Sequence, residues 1–155
     1  FAPAIIEEEV SKWFNIKEKS PYMLIVAEVN EEVKNHDNLK KQRILNGFEK
    51  IKLGLSKIPA VTHVDCSARV QTVSVNKNKK FYKLLNEFYK KTGCPILVNT
   101  SFNIRGEPIV NTPEDAFKCF MGNNLDVLVI DNFFLLKEKQ DKSLAQNYKS
   151  SFELD

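Results

Sequence analysis

The segment that starts at residue 78 constrains the fold more than any other part of the sequence. Its apolar side chains recur at the spacing of one helical face, at Phe81, Leu84, Leu85, Phe88 and Tyr89. This spacing predicts a helix over residues 78–92, which Gly93 ends. The apolar run PILV then predicts a buried strand over residues 95–98. A helix that leads directly into a buried strand limits the fold to classes that pack helices on a sheet.

The residues after this strand predict a second helix. Thr112 is a preferred N-cap residue, Pro113 suits the first helical position, and Asp115 lies three residues after the cap. A helix is therefore expected over residues 113–121. The runs LDVLVID and FFLLKE then predict two strands joined by a hairpin at residues 131–132.

The N-terminal half contains shorter patterns. Pro3 at a first helical position, followed by Ile6, Val10 and Trp13, predicts an N-terminal helix. Apolar and alternating runs predict further strands at residues 22–29, 60–64 and 69–75. All of these strands are expected in one sheet, together with residues 95–98 and 127–130.

Two segments give weaker signals. Residues 30–57 predict a loop or a solvated helix, with an apolar face that Gly47 and Gly54 weaken. Residues 138–155 predict a polar tail after a domain that spans residues 1–137. The fold class is therefore α/β (α+β), a mixed twisted sheet with flanking helices.

Length and composition narrow the class of protein. A chain of 155 residues forms one domain with a real core. The longest apolar runs are strand-sized, and the N-terminus lacks the features of a signal peptide, so no membrane segment is expected. The three cysteines are odd in number and lie outside any CxxC pair, which favours reduced thiols in the cytoplasm over a zinc site or disulfides. A net charge of +3 hardly favours nucleic-acid binding.

The arginines are unusually few. Of 23 basic residues only three are Arg, namely Arg43, Arg69 and Arg105. Arg presents a rigid fork of donors that suits carboxylate and phosphate oxygens. Where Arg persists in a chain that otherwise uses Lys, a specific contact is expected. A structural ion pair is the ordinary alternative, and ligand contact is favoured for Arg69 and Arg105 because each lies in a polar cluster.

Two polar stretches contain these arginines. One is THVDCSARVQT at residues 62–72, and the other is NTSFNIRGEPIV at residues 99–110. Both follow or flank predicted strands, and open α/β sheets bind ligands at strand ends. In the second stretch Gly106 permits a left-handed residue or a close approach of the backbone. The two stretches therefore predict ligand-binding loops.

Each of these polar residues also has an ordinary interpretation. His63 in a β-like run is more often a packed or surface histidine than a catalyst. Asp65 and Ser67 are typical of an Asx or Ser turn, and Asn99 and Ser101 are residue types that satisfy nearby backbone groups. The chain has no P-loop, no GxGxxG and no His/Cys metal spacing.

The same stretches resemble a known family. HVDCSARVQTV, CPILVNTSFNIRGEPIV, FAPAIIEEEV and DVLVIDNFFLLK are similar, in position and order, to the C-terminal domain of the O-carbamoyltransferases that act in nodulation-factor and antibiotic biosynthesis. The resemblance covers most of residues 1–137. It implies a YrdC-like fold that uses carbamoyl phosphate and ATP to make carbamoyl adenylate for transfer to an acceptor hydroxyl.

The resemblance also implies roles for individual residues. Arg69, Asn99, Ser101 and Arg105 would hold carbamoyl phosphate or the phosphates of ATP. The same cleft would be lined by His63, Asp65, Ser67 and Asn103. Such chemistry depends on neutralised phosphate charge and aligned reactants more than on a nucleophile. No catalytic side chain and no metal ligand are assigned, because the metal of such enzymes is expected in an N-terminal, actin-like transfer domain.

This sequence departs from the family pattern in several places. An Arg-rich motif resembling GPRALGNRS and an FRP element, which usually precede FAP, are absent, as is the transfer domain. Cys66 stands where the family often has Gly. The sequence therefore predicts a partial C-terminal domain that makes little or no carbamoyl adenylate alone. A non-catalytic or regulatory module for a small phosphorylated ligand is the alternative, and a nucleic-acid binder is disfavoured because the aromatic residues sit at core spacing.

Overall fold

The computed structural model describes residues 1–144. The chain divides into two compact units, Phe1–Thr100 and Ser101–Asp155. In the first unit the strands and α-helices are β1 (Ala2–Ile6), α1 (Val10–Trp13), β2 (Ile25–Glu28), α2 (His36–Gln42), β3 (Ser67–Val73), α3 (Lys79–Thr92) and β4 (Ile96–Asn99). In the second unit they are α4 (Pro113–Gly122), β5 (Val127–Ile130) and β6 (Phe133–Leu136).

The first unit is built on a four-stranded mixed sheet with the order β2-β3-β1-β4. β1 pairs in parallel with β3, and the other two pairings are antiparallel. A mixed sheet with flanking helices is the predicted fold class, which is therefore confirmed.

The predicted N-terminal helix is wrong for residues 2–6, which form a strand of the sheet. Residues 2–6 form β1, one of the two interior strands, and every one of them is buried. Only a 3₁₀ turn, Glu7–Glu9, and the single turn of α1 follow it. Apolar residues at helical spacing mislead here, because both partners of β1 lie about 65 or more residues away in sequence and leave no local signal.

A second correction concerns residues 60–64, which were predicted as a strand. Pro59–Val61 form a 3₁₀ turn, and the chain then reverses through a tight turn at residues 63–66. Pro59 suits the first position of this turn and has no N–H to give to a strand ladder. The predicted strand at residues 22–29 is also shorter, because Met23 takes a positive φ of 58° before β2 begins.

The two faces of the sheet carry different side chains. On one face Ile5, Ala68, Val70 and Ile96 join a core cluster with Phe14. On the other face α3 covers only part of the sheet. There Leu85, which is fully buried, packs in a cluster that includes the following sheet residues: Ala4, Ile6, Val73 and Leu97.

The helix α3 has the ends that its sequence predicts. The side chain of Asn78 accepts a hydrogen bond from the N–H of Phe81, and Gly93 closes the helix with φ of 73°. The predicted helix over residues 78–92 is thus confirmed. α3 leaves the remaining half of its sheet face open, and that half carries the polar side chains of β3 and β4.

The second unit packs α4 on a hairpin. Thr112 and Asp115 form the predicted reciprocal cap at the start of α4. β5 and β6 pair antiparallel across residues 131–132, where Asp131 has φ of 50°. The predicted hairpin is confirmed. These strands form a separate two-stranded sheet, however, so the prediction that β5 shares one sheet with the other strands is wrong.

The remaining segments contain short helical turns. Residues 30–57 contain α2 and the 3₁₀ turns Glu31–Val33 and Gly47–Lys52, and Ile44, Phe48 and Ile51 are exposed. Of the predicted tail, residues 145–155 lie outside the described residues. Among residues 1–144, no helix has both the length and the apolar character that crossing a bilayer requires.

Candidate functional site

The open half of the sheet face in the first unit carries a row of polar side chains. Alternation along β3 places Ser67, Arg69 and Gln71 on this face, and Asn99 projects from β4 on the same face. We call these four residues the polar row. Three of them, Ser67, Arg69 and Asn99, were predicted as ligand residues, and the fold of the first unit brings them together.

A hydrogen bond within the polar row crosses over β1. Nδ2 of Asn99 donates to Oε1 of Gln71 at 2.5 Å, although β3 and β4 lie on opposite sides of β1. Two strand spacings amount to about 10 Å, so the side chains meet only above small residues. The residues of β1 at this level are Ala2 and Ala4, which pair with Asn99 and with Gln71 respectively. The alanines in APAII therefore make room for the bridge.

The amide nitrogen of Gln71 is also held by a hydrogen bond. Its Nε2 donates to the carbonyl oxygen of Pro21 at 3.1 Å. The neighbouring Ser20 is buried and is fixed to β3, because its N–H donates to Oγ1 of Thr72 and its hydroxyl donates to the carbonyl of Val70. The N–H of Thr72 donates back to the carbonyl of Ser20 at 2.9 Å. The acceptor at Pro21 thus has a fixed position.

Arg69 is the exposed cation of the polar row. Its guanidinium makes no ion pair or side-chain hydrogen bond with residues 1–144. The nearest acidic side chain on this face by register is Glu28, which lies opposite Ser67. Glu28 is engaged by Lys34, whose Nζ lies 2.6 Å from Oε1 and also 2.6 Å from Glu31. The ordinary alternative for Arg69, a structural ion pair, therefore does not apply within the described chain.

Two further predicted residues, Asp65 and His63, adjoin the polar row. Oδ1 of Asp65 accepts hydrogen bonds from the N–H of Ser67 at 3.0 Å and from its hydroxyl at 2.7 Å. Nδ1 of His63 lies 3.0 Å from the same hydroxyl oxygen. Because Ser67 gives its only proton to Asp65, its oxygen accepts from Nδ1–H of His63. Nε2 of His63 is left without a protein partner among the described residues.

The turn that carries these residues has a strained position. The N–H of His63 donates to the carbonyl of Ser67, and Cys66 takes φ of 62°. This left-handed backbone is easiest for glycine. The two hydrogen bonds from Ser67 lower the pKa of Asp65, whereas burial raises the pKa of the Cys66 thiol.

A cavity of about 330 Å³ lies beside Gln71. Tyr22 and Lys77 line it, and the Lys77 ammonium lies 5.9 Å from the centre of the Tyr22 ring. Sequence reasoning missed Gln71, Tyr22 and Lys77 as site residues. Gln71 was open to inference, because it lies two residues after Arg69 on a strand. Lys77 gave no signal, since it is one of many lysines.

The second polar stretch continues into the second unit, where the loop at residues 101–110 bonds largely to itself. Nδ2 of Asn103 donates to the carbonyl of Glu107 at 2.8 Å, and the N–H of Ile104 donates to Oε2 of Glu107 at 2.8 Å. Glu107 is buried at 8% exposure. Gly106 has φ of 81°, so the left-handed residue expected beside Arg105 is present. Asn103 and Glu107 therefore shape this loop.

The buried end of this loop contacts α4. Burial, followed by the neighbouring Glu107 carboxylate, raises the pKa of the Cys119 thiol to about 11. At the C-terminal end of α4, Nζ of Lys137 donates to the carbonyls of Phe120 and Asn123 and lies over the Phe120 ring. Burial lowers the pKa of Lys137. The interior of the second unit thus holds polar groups that serve its own stability.

Ser101 and Arg105 are exposed in the loop of the second unit. The predicted cleft would combine them with Arg69 and Asn99, which belong to the first unit. That shared cleft stays a prediction. Among the described residues, no group of three or more His, Cys, Asp and Glu side chains is arranged to hold a metal ion.

Comparison with known protein families decides the relationship. The family model "Carbamoyltransferase C-terminus" matches residues 1–137. The chain belongs to this family. The matched range includes the polar row and the loop of the second unit.

Individual relatives are longer than this chain. The uncharacterised protein sll1178 of Synechocystis sp. is 47% identical over all of this chain, which covers 25% of that protein. Nodulation protein NolNO of Sinorhizobium fredii is 36% identical over 88% of this chain and 18% of its own length. The 3'-hydroxymethylcephem-O-carbamoyltransferase of Amycolatopsis lactamdurans is 32% identical over 86% of this chain and 21% of its own length. The chain thus spans a quarter or less of the length of these relatives.

Proposed function

We propose that this chain supplies a phosphate-binding half-site of a carbamoyltransferase. Carbamoyl phosphate and ATP are the ligands, and carbamoyl adenylate is the product that a transfer domain passes to an acceptor hydroxyl. The proposal rests on the polar row, which lies in a chain of the carbamoyltransferase C-terminus family. The one arginine of the polar row is exposed and has no protein partner in residues 1–144.

Arg69 is the group that binds the phosphoryl oxygens. A guanidinium offers a bidentate fork to phosphate, and such charge-assisted hydrogen bonds are the stronger ones. Arg69 forms no ion pair with Glu28, the acidic residue of the neighbouring strand β2, because Glu28 is held by Lys34. His63 and Ser67 lie at the end of β3 next to Arg69, where Nε2 of His63 is available to a ligand.

Asn99 binds the uncharged part of the ligand. A carbamoyl group carries one carbonyl oxygen and one NH₂ group, and its NH₂ group can donate to the amide oxygen of Asn99. Lys77 at the neighbouring cavity supplies a second cation for the phosphates of ATP. Ser101 and Arg105 are also proposed to bind phosphate oxygens, and Asn103 holds the loop that carries them.

Assembly with further domains is part of the same proposal. The transfer domain, and the metal that the resemblance assigns to it, belong to the longer carbamoyltransferases. Carbamoyl phosphate and ATP bring many negative charges to one place, and unneutralised phosphates repel each other where water is partly excluded. We therefore expect residues 1–155 alone to bind phosphate ligands weakly and to release little pyrophosphate. The cytoplasm is the compartment that fits these ligands.

The test combines binding with turnover. Carbamoyl phosphate is titrated into the chain by NMR, and pyrophosphate release is measured with carbamoyl phosphate and ATP. Arg69→Ala is expected to lose about 1.5–3 kcal/mol of carbamoyl phosphate binding. Lys91→Ala is the control, because it removes the same charge from the last turn of α3 and should leave binding unchanged.

Each outcome separates the candidates. Binding that is equal in the parent chain and in Arg69→Ala would show that the site is elsewhere. Strong pyrophosphate release by the chain alone would contradict the expectation that its cations are too few. Binding without turnover, even when the chain is joined to a transfer domain, would favour the alternative of a non-catalytic module for a small phosphorylated ligand.

A further inference from the structure

We propose that Gln71 is a positioning residue that makes the site selective for a ligand with an N–H group. Through its bond to Asn99, Gln71 turns the amide of Asn99 so that the oxygen of that amide is available to the ligand. This inference rests on the proposed function and names the feature of the ligand that the site recognises, which is the NH₂ of a carbamoyl phosphate.

The polarity of the bridge follows from its fixed end. The carbonyl of Pro21 is only an acceptor, so the atom of Gln71 that faces it must be the donor Nε2. Oε1 of Gln71 therefore faces Asn99, and Asn99 must present its donor Nδ2 to this oxygen. The backbone carbonyl of Pro21 therefore determines which atom is oxygen and which is nitrogen in both amides.

The carbonyl of Pro21 is held in place by the hydrogen bonds of the neighbouring residue. Ser20, next to Pro21, exchanges three hydrogen bonds with β3, at 3.0, 2.8 and 2.9 Å. If the amide of Gln71 turned over, its oxygen would face the oxygen of Pro21, and two acceptors would oppose each other. The same reversal would place two donors against each other at Asn99. Both amides are therefore held in one orientation.

Oδ1 of Asn99 is what this arrangement leaves open. It accepts no hydrogen bond within residues 1–144, and it is not among buried unpaired atoms, of which the described chain has none. It therefore reaches the surface of the polar row. An amide oxygen accepts hydrogen bonds only, so it favours a ligand that presents an N–H at this position and disfavours one that presents a methyl group.

Acetyl phosphate is the matched probe, because it keeps the carbonyl and the phosphate of carbamoyl phosphate and replaces NH₂ by CH₃. The experiment is an NMR titration of the chain with carbamoyl phosphate, acetyl phosphate and inorganic phosphate. We expect carbamoyl phosphate to bind at least ~10-fold more tightly than acetyl phosphate, since a site built to bond an N–H leaves its acceptor unpaired against a methyl group. The side-chain NH₂ signals of Asn99 should shift with carbamoyl phosphate.

Gln71→Met tests the positioning role, because methionine keeps the length of the side chain and removes both polar atoms. We expect the ratio of the two acyl phosphate affinities to fall toward one, with a smaller change in the affinity for inorganic phosphate. A purely structural role would instead weaken all three ligands alike, and that result would overturn the inference. Lys91→Ala should leave the ratio unchanged.

Different results would reject this inference and the proposed function. If the parent chain binds carbamoyl phosphate and acetyl phosphate equally, the selectivity of Asn99 is wrong while the phosphate site stands. If Gln71→Met keeps the full ratio, Gln71 does not position Asn99. If none of the three ligands binds, the proposed function is wrong and this inference is wrong with it.

Discussion

The polar residues of the first unit and the polar loop at residues 101–110 of the second unit look alike in sequence and differ in what their side chains bond. In the first unit, Arg69, Nε2 of His63 and Oδ1 of Asn99 have no partner within the described residues. In the second unit, Asn103 and Glu107 bond to the backbone of their own loop. A dense set of polar residues therefore does not by itself indicate a ligand site. The hydrogen bonds that remain unmade distinguish a binding surface from a loop that stabilises itself.

The largest expected effect comes from the self-bonded loop. Glu107→Ala removes the acceptor of the Ile104 N–H from a buried position, and an unsatisfied buried donor together with a lost side chain should cost about 2–3 kcal/mol in stability. Denaturant unfolding measures the loss, and hydrogen exchange of the Ile104 amide should become faster.

Glu107→Gln is the matched control, because its amide oxygen still accepts from Ile104. It should lose less stability than Glu107→Ala. Equal losses in the two variants would mean that the hydrogen bond to Ile104 contributes little, and the contrast between the two stretches would then be weaker.

An intermediate effect is expected at the turn before the polar row. Cys66 has a left-handed backbone, and a β-branched residue is poorly tolerated there. Cys66→Val should destabilise the chain by about 1–3 kcal/mol. In Cys66→Gly the relief of backbone strain offsets the lost side chain, so stability should stay within about 1 kcal/mol of the parent chain. Thermal unfolding compares the two, and a valine variant as stable as the glycine variant would argue against strain at Cys66.

The smallest expected effect concerns pH. The hydrogen bonds from Ser67 lower the pKa of Asp65 below its ordinary value of 3.8. A carboxyl with a depressed folded pKa stabilises the folded state above its unfolded pKa, and this contribution is lost as pH falls through the folded pKa. Asp65→Asn should therefore remove a part of the stability that is present at neutral pH and lost below about pH 4. The size should be under about 1 kcal/mol because Asp65 is exposed. A parent chain and variant with the same acid sensitivity would contradict this.

Local sequence signals predicted the elements that depend on local patterns. α3 and α4 have caps and apolar faces that can be found within one window, and the hairpin of β5 and β6 has its turn in the sequence. β1 was missed because its five residues are buried by pairing with two distant strands. The separate sheet of β5 and β6 was missed for a related reason, since strand patterns do not say which strands pair.

The sequence likewise predicted some residues of the candidate site and missed others. Arg69 and Asn99 were found as uncommon or clustered polar residues, and the sheet brings them to one face. Gln71 was missed because a glutamine on a strand is ordinary until its two hydrogen bonds are known. The sequence left the role of Asn103 open, because the residue type alone does not show whether an asparagine lines a cleft or holds a loop.

The central claim is that the polar row of the first unit binds phosphate ligands while the self-bonded loop of the second unit is held by Asn103. Carbamoyl phosphate titration and denaturant unfolding of Arg69→Ala and Asn103→Ala, side by side, test it most directly. We predict that Arg69→Ala loses about 1.5–3 kcal/mol of binding with a stability change within about 0.5 kcal/mol. Asn103→Ala should lose about 1 kcal/mol or more of stability, because the Glu107 carbonyl loses its donor. Unchanged binding in Arg69→Ala, at full stability, would contradict the account.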